Sequence, residues 1–392
     1  MYEKEIAAAA EHFKALLARQ LERNEAIRSQ GDFIDYAKLD KIVIGVCGGD
    51  GIGPIITAQS ADVLAYLLKD DVAKGRIEFK QIDGLTIENR IAHMQPIPDD
   101  VLAALKSCHV ILKGPTTTPQ AGDGRPNIES ANVAMRKALD LFANVRPVRI
   151  PEEGIDWTFF RENTEGEYVL GSRGIEIPGA LTMDFKVTTE PGTRRIARMA
   201  FNYAKNNGKD SVAIVTKANI MKKTDGRFSE ICHEVAEDYP GIGAEDWYAD
   251  IVTAKLVDEK TRGRFQVFVL PNLYGDIITD EAAQIQGGVG TAGSANIGDQ
   301  YAMFEAIHGS APRMVEEGRG DYADPCSMLR AGAMLLSHIG YVKESQALDS
   351  ALDICMASDE YKITGRSDGC TCAEFGAFVK KTLYEIMDGA AI

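Results

Sequence analysis

The chain has 392 residues, a formal net charge of −15, and 45% hydrophobic and 26% charged residues, values typical of a soluble globular protein with two or more domains. The negative charge argues against a general nucleic-acid surface, and the lack of any run of about 18 uncharged apolar residues argues against a membrane span. The N-terminus resembles neither a signal peptide nor a transit peptide, and seven scattered cysteines indicate free thiols in a reducing compartment, so a cytoplasmic protein is expected.

The first predicted element is an amphipathic helix over residues 3–29. Its apolar residues at helical spacing are Ile6, Phe13, Leu16, Leu17 and Leu21. Such a face is typical of a helix that packs on the body of a protein, so a structural role is expected for it.

A glycine-rich turn, Gly49, Gly51 and Gly53, joins a predicted strand over residues 41–47 to a helix over 55–68. Backbone amides in such a turn can approach a phosphate. The turn lacks both the G-x-G-x-x-G spacing and a P-loop lysine, so alone it is a weak indication of nucleotide binding. The missing lysine also disfavours a metal-dependent phosphotransferase.

Cations stand at the ends of further predicted strands, which cover residues 110–112, 142–145 and 157–160. Arg146 and Arg161 each follow an apolar strand directly, and Arg136 lies on a helix that begins near Ser130. Ligands of open α/β sheets gather beyond the carboxyl ends of strands, so these arginines can bind a carboxylate substrate. Each can also be a simple salt-bridge partner, and Ser130 can be a simple N-cap.

The remaining sequence continues the alternation of strands and helices and predicts an α/β fold. A β-rich excursion over 169–190 precedes helices over 191–206, 225–237, 327–338, 344–356 and 372–387 and strands over 211–215 and 267–270. Lys217 follows the strand 211–215, and Asp250 follows Tyr248.

Asp276 and Asp280 follow the strand 267–270 and lie one helical turn apart on the same face. Two like charges at this spacing repel each other, which is tolerable only if a cation lies between them. Mg²⁺ or Mn²⁺ suits carboxylate oxygens. The alternative is an acidic helix start that the helix dipole favours. With Asp250 and the arginines, the pair predicts a metal site beside a polycarboxylate, and Tyr168 and Lys217 are candidates for proton transfer.

Several longer motifs resemble the β-decarboxylating dehydrogenases, the isocitrate/isopropylmalate dehydrogenase family. They are Lys113-Gly-Pro, Ser130-x-Asn-Val, Ala143-Asn-Val-Arg-Pro147, Arg161-Glu-Asn-Thr-Glu-Gly-Glu-Tyr168, Lys217-Ala-Asn-Ile-Met-Lys222, Pro271-Asn-Leu-Tyr-Gly-Asp276 and His308-Gly-Ser-Ala-Pro312. The resemblance covers about residues 41–385 and is closest to NAD-type isocitrate dehydrogenase. It implies metal-dependent oxidative decarboxylation of isocitrate to 2-oxoglutarate, with Mg²⁺ or Mn²⁺ and NAD as cofactors.

The resemblance also implies a role for individual residues. Tyr168 and Lys217 would be catalytic, and Asp250, Asp276 and Asp280 would bind the metal. The substrate would be bound by Ser130, Asn132, Arg136, Arg146 and Arg161. The nicotinamide cofactor would be bound by Thr117, Asn219, His308, Gly309, Ser310, Ala311, Arg313 and Asp324.

The implied fold is not a Rossmann fold. It has a large lobe (residues 41–141 and 287–392), a small lobe (142–165 and 191–286), a dimer-forming clasp (166–190) and an N-terminal helical extension (1–40) expected on the large lobe or an oligomer face. The implied assembly is a homodimer or higher homo-oligomer, in which a partner subunit supplies Lys217 and Asp250. No nucleic acid or membrane partner is expected.

The cofactor loop departs from the family pattern. Arg313 stands where NAD-dependent relatives carry an acidic residue, and Asp324 stands where an asparagine is usual. An arginine can pair with the 2′-phosphate of NADP, so NADP is the alternative to NAD. The resemblance also leaves open a different malate derivative as substrate (homoisocitrate, isopropylmalate or tartrate) and a non-catalytic regulatory subunit.

Overall fold

The computed structural model describes residues 2–29, 33–119, 122–288 and 292–387. Its α-helices are α1 Glu3–Arg28, α2 Gly53–Leu67, α3 Lys69–Ala73, α4 Ile87–His93, α5 Asp99–Lys106, α6 Ala131–Ala138, α7 Glu190–Asn206, α8 Thr224–Ala236, α9 Ala249–Leu256, α10 Asn272–Gln286, α11 Pro312–Glu316, α12 Cys326–His338, α13 Val342–Met356 and α14 Cys372–Met387. Its strands are β1 Ile42–Cys47, β2 Ile77–Ile82, β3 Val110–Lys113, β4 Ala143–Ile150, β5 Ile155–Glu162, β6 Ile175–Ile177, β7 Leu181–Met183, β8 Ser211–Thr216, β9 Gly243–Tyr248, β10 Val267–Leu270, β11 Gly293–Ile297 and β12 Ala302–Ala306.

The chain divides into two compact units. Unit 1 comprises residues 1–32 and 142–285, and unit 2 comprises residues 33–141 and 286–392. The borders thus fall after residues 141 and 285, and the predicted lobe borders fall after 141 and 286. The predicted α/β class is confirmed, because both units pair a mainly parallel sheet with helices.

Unit 1 holds the strands β4-β5-β10-β8-β9 in that order. β4 and β5 are antiparallel, and the other neighbouring pairs are parallel. Aromatic side chains fill its core, where the rings of Phe159 and Phe268 stack with centroids 4.2 Å apart. The segment predicted to be β-rich contains the antiparallel pair β6–β7, while a dimer-forming role for it stays a prediction.

Unit 2 holds the strands β2-β1-β3-β12-β11. β1 is parallel to both of its neighbours, β3 is parallel to β12, and β11 is antiparallel to β12.

All seven cysteines are free, and six of them are buried, as the scattered spacing predicts. No helix among the described residues has the length and apolar character needed to cross a bilayer.

One prediction about local structure is wrong. The strand before Arg146 does not end there: β4 runs to Ile150 and pairs with β5 along its whole length, so Arg146 and Arg161 both lie within strands. The N-terminal helix belongs to unit 1 and not to the large lobe, while the predicted alternative, an oligomer face, stays a prediction. The apolar face expected for this helix is mostly uncovered. Leu16 is 2% exposed, whereas Leu21 is 58% exposed.

Candidate active site

The carboxyl ends of the four parallel strands β5, β10, β8 and β9 lie side by side at one end of the sheet in unit 1. Arg161 is paired with Leu270 at the end of β10, and Thr216 at the end of β8 is paired with Tyr248 at the end of β9. Because parallel strands in register end together, the residues that follow them lie along the same edge. Lys217 follows β8 directly, Asp250 lies in the first turn of α9, and Asp276 lies in the first turns of α10.

Arg161 and Tyr168 meet at Asp276. The Arg161 guanidinium donates to one carboxylate oxygen of Asp276, and the Tyr168 hydroxyl donates to the other at 2.9 Å. Arg161 also donates to Oδ1 of Asn272 from Nε at 3.0 Å and from Nη2 at 2.6 Å. Its side chain is 1% exposed and that of Asp276 is 39% exposed, so a buried cation holds a carboxylate that solvent can reach.

Arg146 and Asp280 form a second pair on the same helix face. One Arg146 nitrogen donates to Asp280 at 2.7 Å and to the Thr279 hydroxyl at 2.6 Å. The Thr279 hydroxyl in turn donates to the carbonyl of Gly275 at 2.6 Å, which fixes its orientation. Asp280 is 61% exposed, so its carboxylate remains accessible on one side.

Lys217 contacts Asp250, not Tyr168. The ammonium donates to Asp250 at 2.5 Å, and this hydrogen bond lowers the pKa of the Asp250 carboxyl. The backbone amide of Lys217 donates to buried Asp225 at 2.8 Å. Asp225 also pairs with Lys186, 5% exposed, at 2.6 Å, so buried charges fix the start of the Lys217 turn.

The three predicted metal ligands do not come together in this chain. Within the described residues, no group of three or more His, Cys, Asp or Glu side chains could hold a metal ion. The strand order explains this result. β8 separates β10 from β9, so elements that follow β10 and β9 start about 10 Å apart at about 4.8 Å per strand spacing.

Unit 2 brings Arg136 and Lys113 to a buried carboxylate that sequence reasoning missed. Glu305 on β12 lies 3.3 Å from Lys113 and 3.6 Å from Arg136, and Asn296 donates to it at 2.8 Å. Burial opposes ionisation of Glu305, but the two cations outweigh it and hold its pKa below the usual range. Lys113 and Glu305 are cross-strand neighbours in the β3–β12 register, which the sequence does not reveal.

Ser130 occupies the N-cap position of α6, but its side chain makes no capping hydrogen bond. The expected capping role is therefore not seen. Two residues later, Asn132 accepts a hydrogen bond from the Thr116 hydroxyl at 3.2 Å. This contact joins the polar turn after β3 to the first turn of α6.

The glycine-rich turn packs against two of the predicted cofactor loops. The amides of Asp50 and Ile52 donate to the carbonyls of Pro115 at 2.8 Å and Ser310 at 2.9 Å. A Cβ at Gly51 would lie 1.9 Å from the Ser310 carbonyl oxygen, and Gly51 has a φ of +58°, so glycine is required there. These two amides therefore position the loops and do not point to a phosphate.

Most of the predicted cofactor residues lie in loops of unit 2. The hydroxyls of Thr117 and Ser310 are hydrogen-bonded at 2.8 Å. His308 keeps Nε2 buried without a hydrogen-bond partner among the described residues. Asp324 accepts from the amide of Cys326 at 2.8 Å and so supports the start of α12.

Three further cofactor candidates are exposed. Gly309 and Ala311 flank buried Ser310, and Asn219 lies in the turn after β8, in unit 1. Ala311 has a φ of +43°, which turns the chain into α11.

The family model described as isocitrate/isopropylmalate dehydrogenase matches residues 43–379. The chain belongs to this family. The predicted family and the predicted family fold are therefore confirmed.

Similar proteins include enzymes named for either nicotinamide cofactor. The isocitrate dehydrogenase (NADP) of Rickettsia typhi is 39% identical over 317 residues, which cover 79% of this chain and 62% of that protein. The probable mitochondrial isocitrate dehydrogenase (NAD) subunit alpha of Caenorhabditis elegans is 35% identical over 91% of this chain and 96% of its own length. The crystal structure of isocitrate dehydrogenase from Methylococcus capsulatus is 32% identical, with a TM-score of 0.75 over 87% of this chain and 99% of that chain.

Proposed function

We propose that this protein oxidises and decarboxylates isocitrate to 2-oxoglutarate and CO₂ with hydride transfer to NAD. The observation that carries the proposal is the contact of Arg161, Asp276 and Tyr168. At the carboxyl end of a parallel strand, Arg161 offers a cation that can bind a carboxylate, Asp276 offers an accessible carboxylate that can bind a metal ion, and Tyr168 offers a hydroxyl that can donate a proton. Relatives named isocitrate dehydrogenase support the choice of substrate.

Arginines and polar residues would bind the substrate carboxylates. In unit 1, Arg146 and Arg161 are buried cations whose partners Asp280 and Asp276 are partly exposed. The Arg146 Nε is buried without a hydrogen-bond partner among the described residues, so this guanidinium N–H is available to a substrate carboxylate. In unit 2, Arg136, Ser130 and Asn132 would serve the same purpose.

Asp276 and Asp280 would hold Mg²⁺ or Mn²⁺, since both offer exposed carboxylate oxygens from one helix face. Asp250 of a second copy would complete the ligand set, because Asp250 of the same chain follows a strand two positions away. When bound, the metal would polarise the hydroxyl oxygen of the substrate and stabilise negative charge on it. The proposed assembly is therefore a homodimer or a higher homo-oligomer.

Tyr168 and Lys217 would move protons. The Tyr168 hydroxyl already donates its hydrogen to Asp276, so the hydroxyl hydrogen is oriented towards the proposed metal-binding carboxylate. We assign Tyr168 to protonating the carbon that loses CO₂ and Lys217 of a second copy to returning that proton. The pairing of Lys217 with Asp250 means that both would reach the other copy's site together.

The preference for NAD is supported by Glu317. Ala311, Pro312, Arg313, Met314, Glu317 and Arg319 line one pocket of unit 2. Glu317 pairs with Arg319 at 2.6 Å and lies 4.0 Å from Arg313, which is 88% exposed. This carboxylate can accept hydrogen bonds from a ribose diol, whereas the Arg313 side chain extends into solvent.

The test is a substrate and cofactor screen of the purified protein. We expect turnover of isocitrate with Mn²⁺ and NAD, loss of turnover with a chelator, and a higher kcat/KM for NAD than for NADP. Tyr168→Phe should lower kcat at least 100-fold, and the matched control Tyr384→Phe, at a side chain 59% exposed, should not. Turnover only of homoisocitrate, isopropylmalate or tartrate, a preference for NADP, or no turnover at all would each reject the corresponding part.

A cytoplasmic location is part of the same proposal. It is supported by the seven free cysteines, which are typical of a protein in a reducing compartment. Fractionation of the source cells with an antibody would test it, and recovery in mitochondria, where the C. elegans relative is placed by its name, would reject it.

A further inference from the structure

The N-terminal helix α1 lies outside the family match, which begins at residue 43, yet it contacts the segment that carries Arg161 and Tyr168. Both belong to unit 1. The contacts fall on either side of Tyr168, before it and after it. This placement points to a role in the reaction site, beyond the structural packing expected from the sequence.

The first contact is made by Arg23. One guanidinium nitrogen donates to Glu165 at 2.9 Å and the other donates to the Thr164 hydroxyl at 2.9 Å. Glu165 is 3% exposed and Arg23 is 23% exposed, so the pair is largely removed from water. A forked cation can span both acceptors, whereas a lysine offers a single nitrogen.

The second contact is apolar and lies just after Tyr168. Leu16 is 2% exposed and packs in one cluster with Val169 and Leu170, each 5% exposed. The ring of Phe13 lies 5.4 Å from that of Phe185, which packs against the same cluster. α1 thus holds the chain at two points, Thr164–Glu165 and Val169–Leu170, from residues two helical turns apart.

The bound segment is connected to Arg161 by hydrogen bonds. Asn272 donates to the carbonyl of Glu165 at 3.0 Å and accepts from Arg161 Nε at 3.0 Å. Glu165 also accepts from the amide of Thr189 at 2.9 Å at the start of α7. A displacement of Glu165 would therefore reach Arg161 through one side chain.

The segment also concentrates negative charge. Glu162 is buried, and it accepts from the amide and hydroxyl of Thr164 and from the amide of Glu165. Burial, together with the neighbouring Glu165 carboxylate, raises the pKa of Glu162 to about 7, and the Arg23 cation opposes this rise. Arg195 adds a longer hydrogen bond of 3.4 Å to Thr164, but Arg23 is the cation that pairs with Glu165.

We propose that Arg23 is a positioning residue for the reaction. It would fix the segment 161–168 through Glu165 and Thr164, so that Tyr168 and Arg161 keep the geometry seen at Asp276. The inference rests on the proposed function for its kinetic consequence, while the structural consequence can be measured without any substrate.

The kinetic experiment compares Arg23→Gln with Arg19→Gln on the same helix. Arg19 is exposed, and its one hydrogen bond among the described residues goes to the carbonyl of Ala15 one turn earlier, so its loss should change kcat less than twofold. Because small misplacements of a reacting group can lower rates by about 100-fold, we expect Arg23→Gln to lower kcat by about 10- to 100-fold. Arg23→Lys should restore only part of the rate, since it keeps the charge without the fork.

A double variant separates positioning from general destabilisation. In a Tyr168→Phe background, Arg23→Gln should cost less than in the wild type, because the part of its effect that runs through Tyr168 is already lost and only the part that runs through Arg161 remains. A cost equal to that in the wild type, or a kcat for Arg23→Gln within twofold of wild type, would overturn the proposal.

Hydrogen exchange keeps the inference testable if the wild type has no turnover. Amides of residues 162–170 should exchange at least 10-fold faster in Arg23→Gln than in wild type or Arg19→Gln, while core strand β10 keeps its protection. Unchanged exchange in this segment would reject the positioning role. If the wild type is inactive but Arg23→Gln still shows the expected faster exchange of residues 162–170, only the proposed function is rejected.

Discussion

Gly275 lies under the Arg161 side chain, and replacing it by alanine should damage both stability and activity. A Cβ built at Gly275 would lie 2.4 Å from Cγ, 2.7 Å from Cβ and 3.0 Å from Cδ of Arg161. Arg161 is 1% exposed, so its stem has no space into which it can swing. Either β5 or the first turn of α10 must therefore move.

The size of the effect follows from three opposing contributions. Helix propensity alone would make Gly275→Ala stabilising by about 1 kcal/mol. Overpacking of a filled interior costs about 1–3 kcal/mol. Loss of one charge-assisted hydrogen bond from Arg161 to Asn272 or Asp276 costs about 1.5–3 kcal/mol. The unfavourable contributions are larger, so we expect net destabilisation of about 1.5–5 kcal/mol.

Denaturant unfolding and steady-state kinetics would measure both consequences. Displacement of Arg161 should raise KM for isocitrate and lower kcat, because the same guanidinium also holds Asp276. The matched control is Gly226→Ala in α8, where a Cβ would have nothing within 4 Å. It should be neutral or stabilise by up to about 1 kcal/mol, with normal kinetics. If Gly275→Ala is as stable and active as Gly226→Ala, close packing at Gly275 does not position Arg161.

Two further predictions concern buried charge in unit 2. Glu305→Gln should lower the free energy of unfolding by about 3–5 kcal/mol, because Lys113, 0% exposed, loses its compensating charge. The control Glu11→Gln, at a side chain 78% exposed, should change the free energy of unfolding by less than about 0.5 kcal/mol. Equal urea midpoints for the two variants would contradict this prediction. Burial beside Tyr36 lowers the pKa of His338 from 6.5 to about 4. Between these two pH values the unfolded state binds more protons than the folded state, so the free energy of unfolding should fall as the pH drops from about 6.5 towards 4. At about 1.4 kcal/mol per pKa unit, the loss should be about 3 kcal/mol. His338→Gln should lack this part of the pH dependence, and an unchanged slope between pH 7 and pH 5 would contradict the assignment.

Local signals in the sequence predict most elements but not all of their ends. Apolar runs and helical spacing place β10 and α14 correctly. The same signals predict too short a strand for β4 because Arg146 and Pro147 interrupt its apolar run, yet all eight of its residues pair with β5. Cross-strand pairing supplies the missing stabilisation, and it depends on residues that are distant in the sequence.

The ion pairs of the site show the same limit. The i, i+4 spacing places Asp276 and Asp280 on one helix face, and α10 confirms that placement. Their cations lie on β4 and β5, more than 100 residues earlier, so only the folded sheet reveals which arginine meets which aspartate. Arg23 carries no sequence signal for its contact with Glu165, because the partly buried Arg23 and the exposed arginines of α1 look alike in the periodic pattern.

The strand order of unit 1 has a consequence for assembly. Lys217 and Asp250 pair with each other after β8 and β9, while Asp276 follows β10 and Arg161 lies near the end of β5. A metal ion needs its ligands within about 2–2.6 Å, which elements beginning about 10 Å apart along one sheet edge do not readily offer. Two copies arranged so that the β8–β9 edge of one faces the β5–β10 edge of the other remove this conflict. We therefore propose at least a dimer, and dilution that yields monomers should abolish turnover while leaving each chain folded.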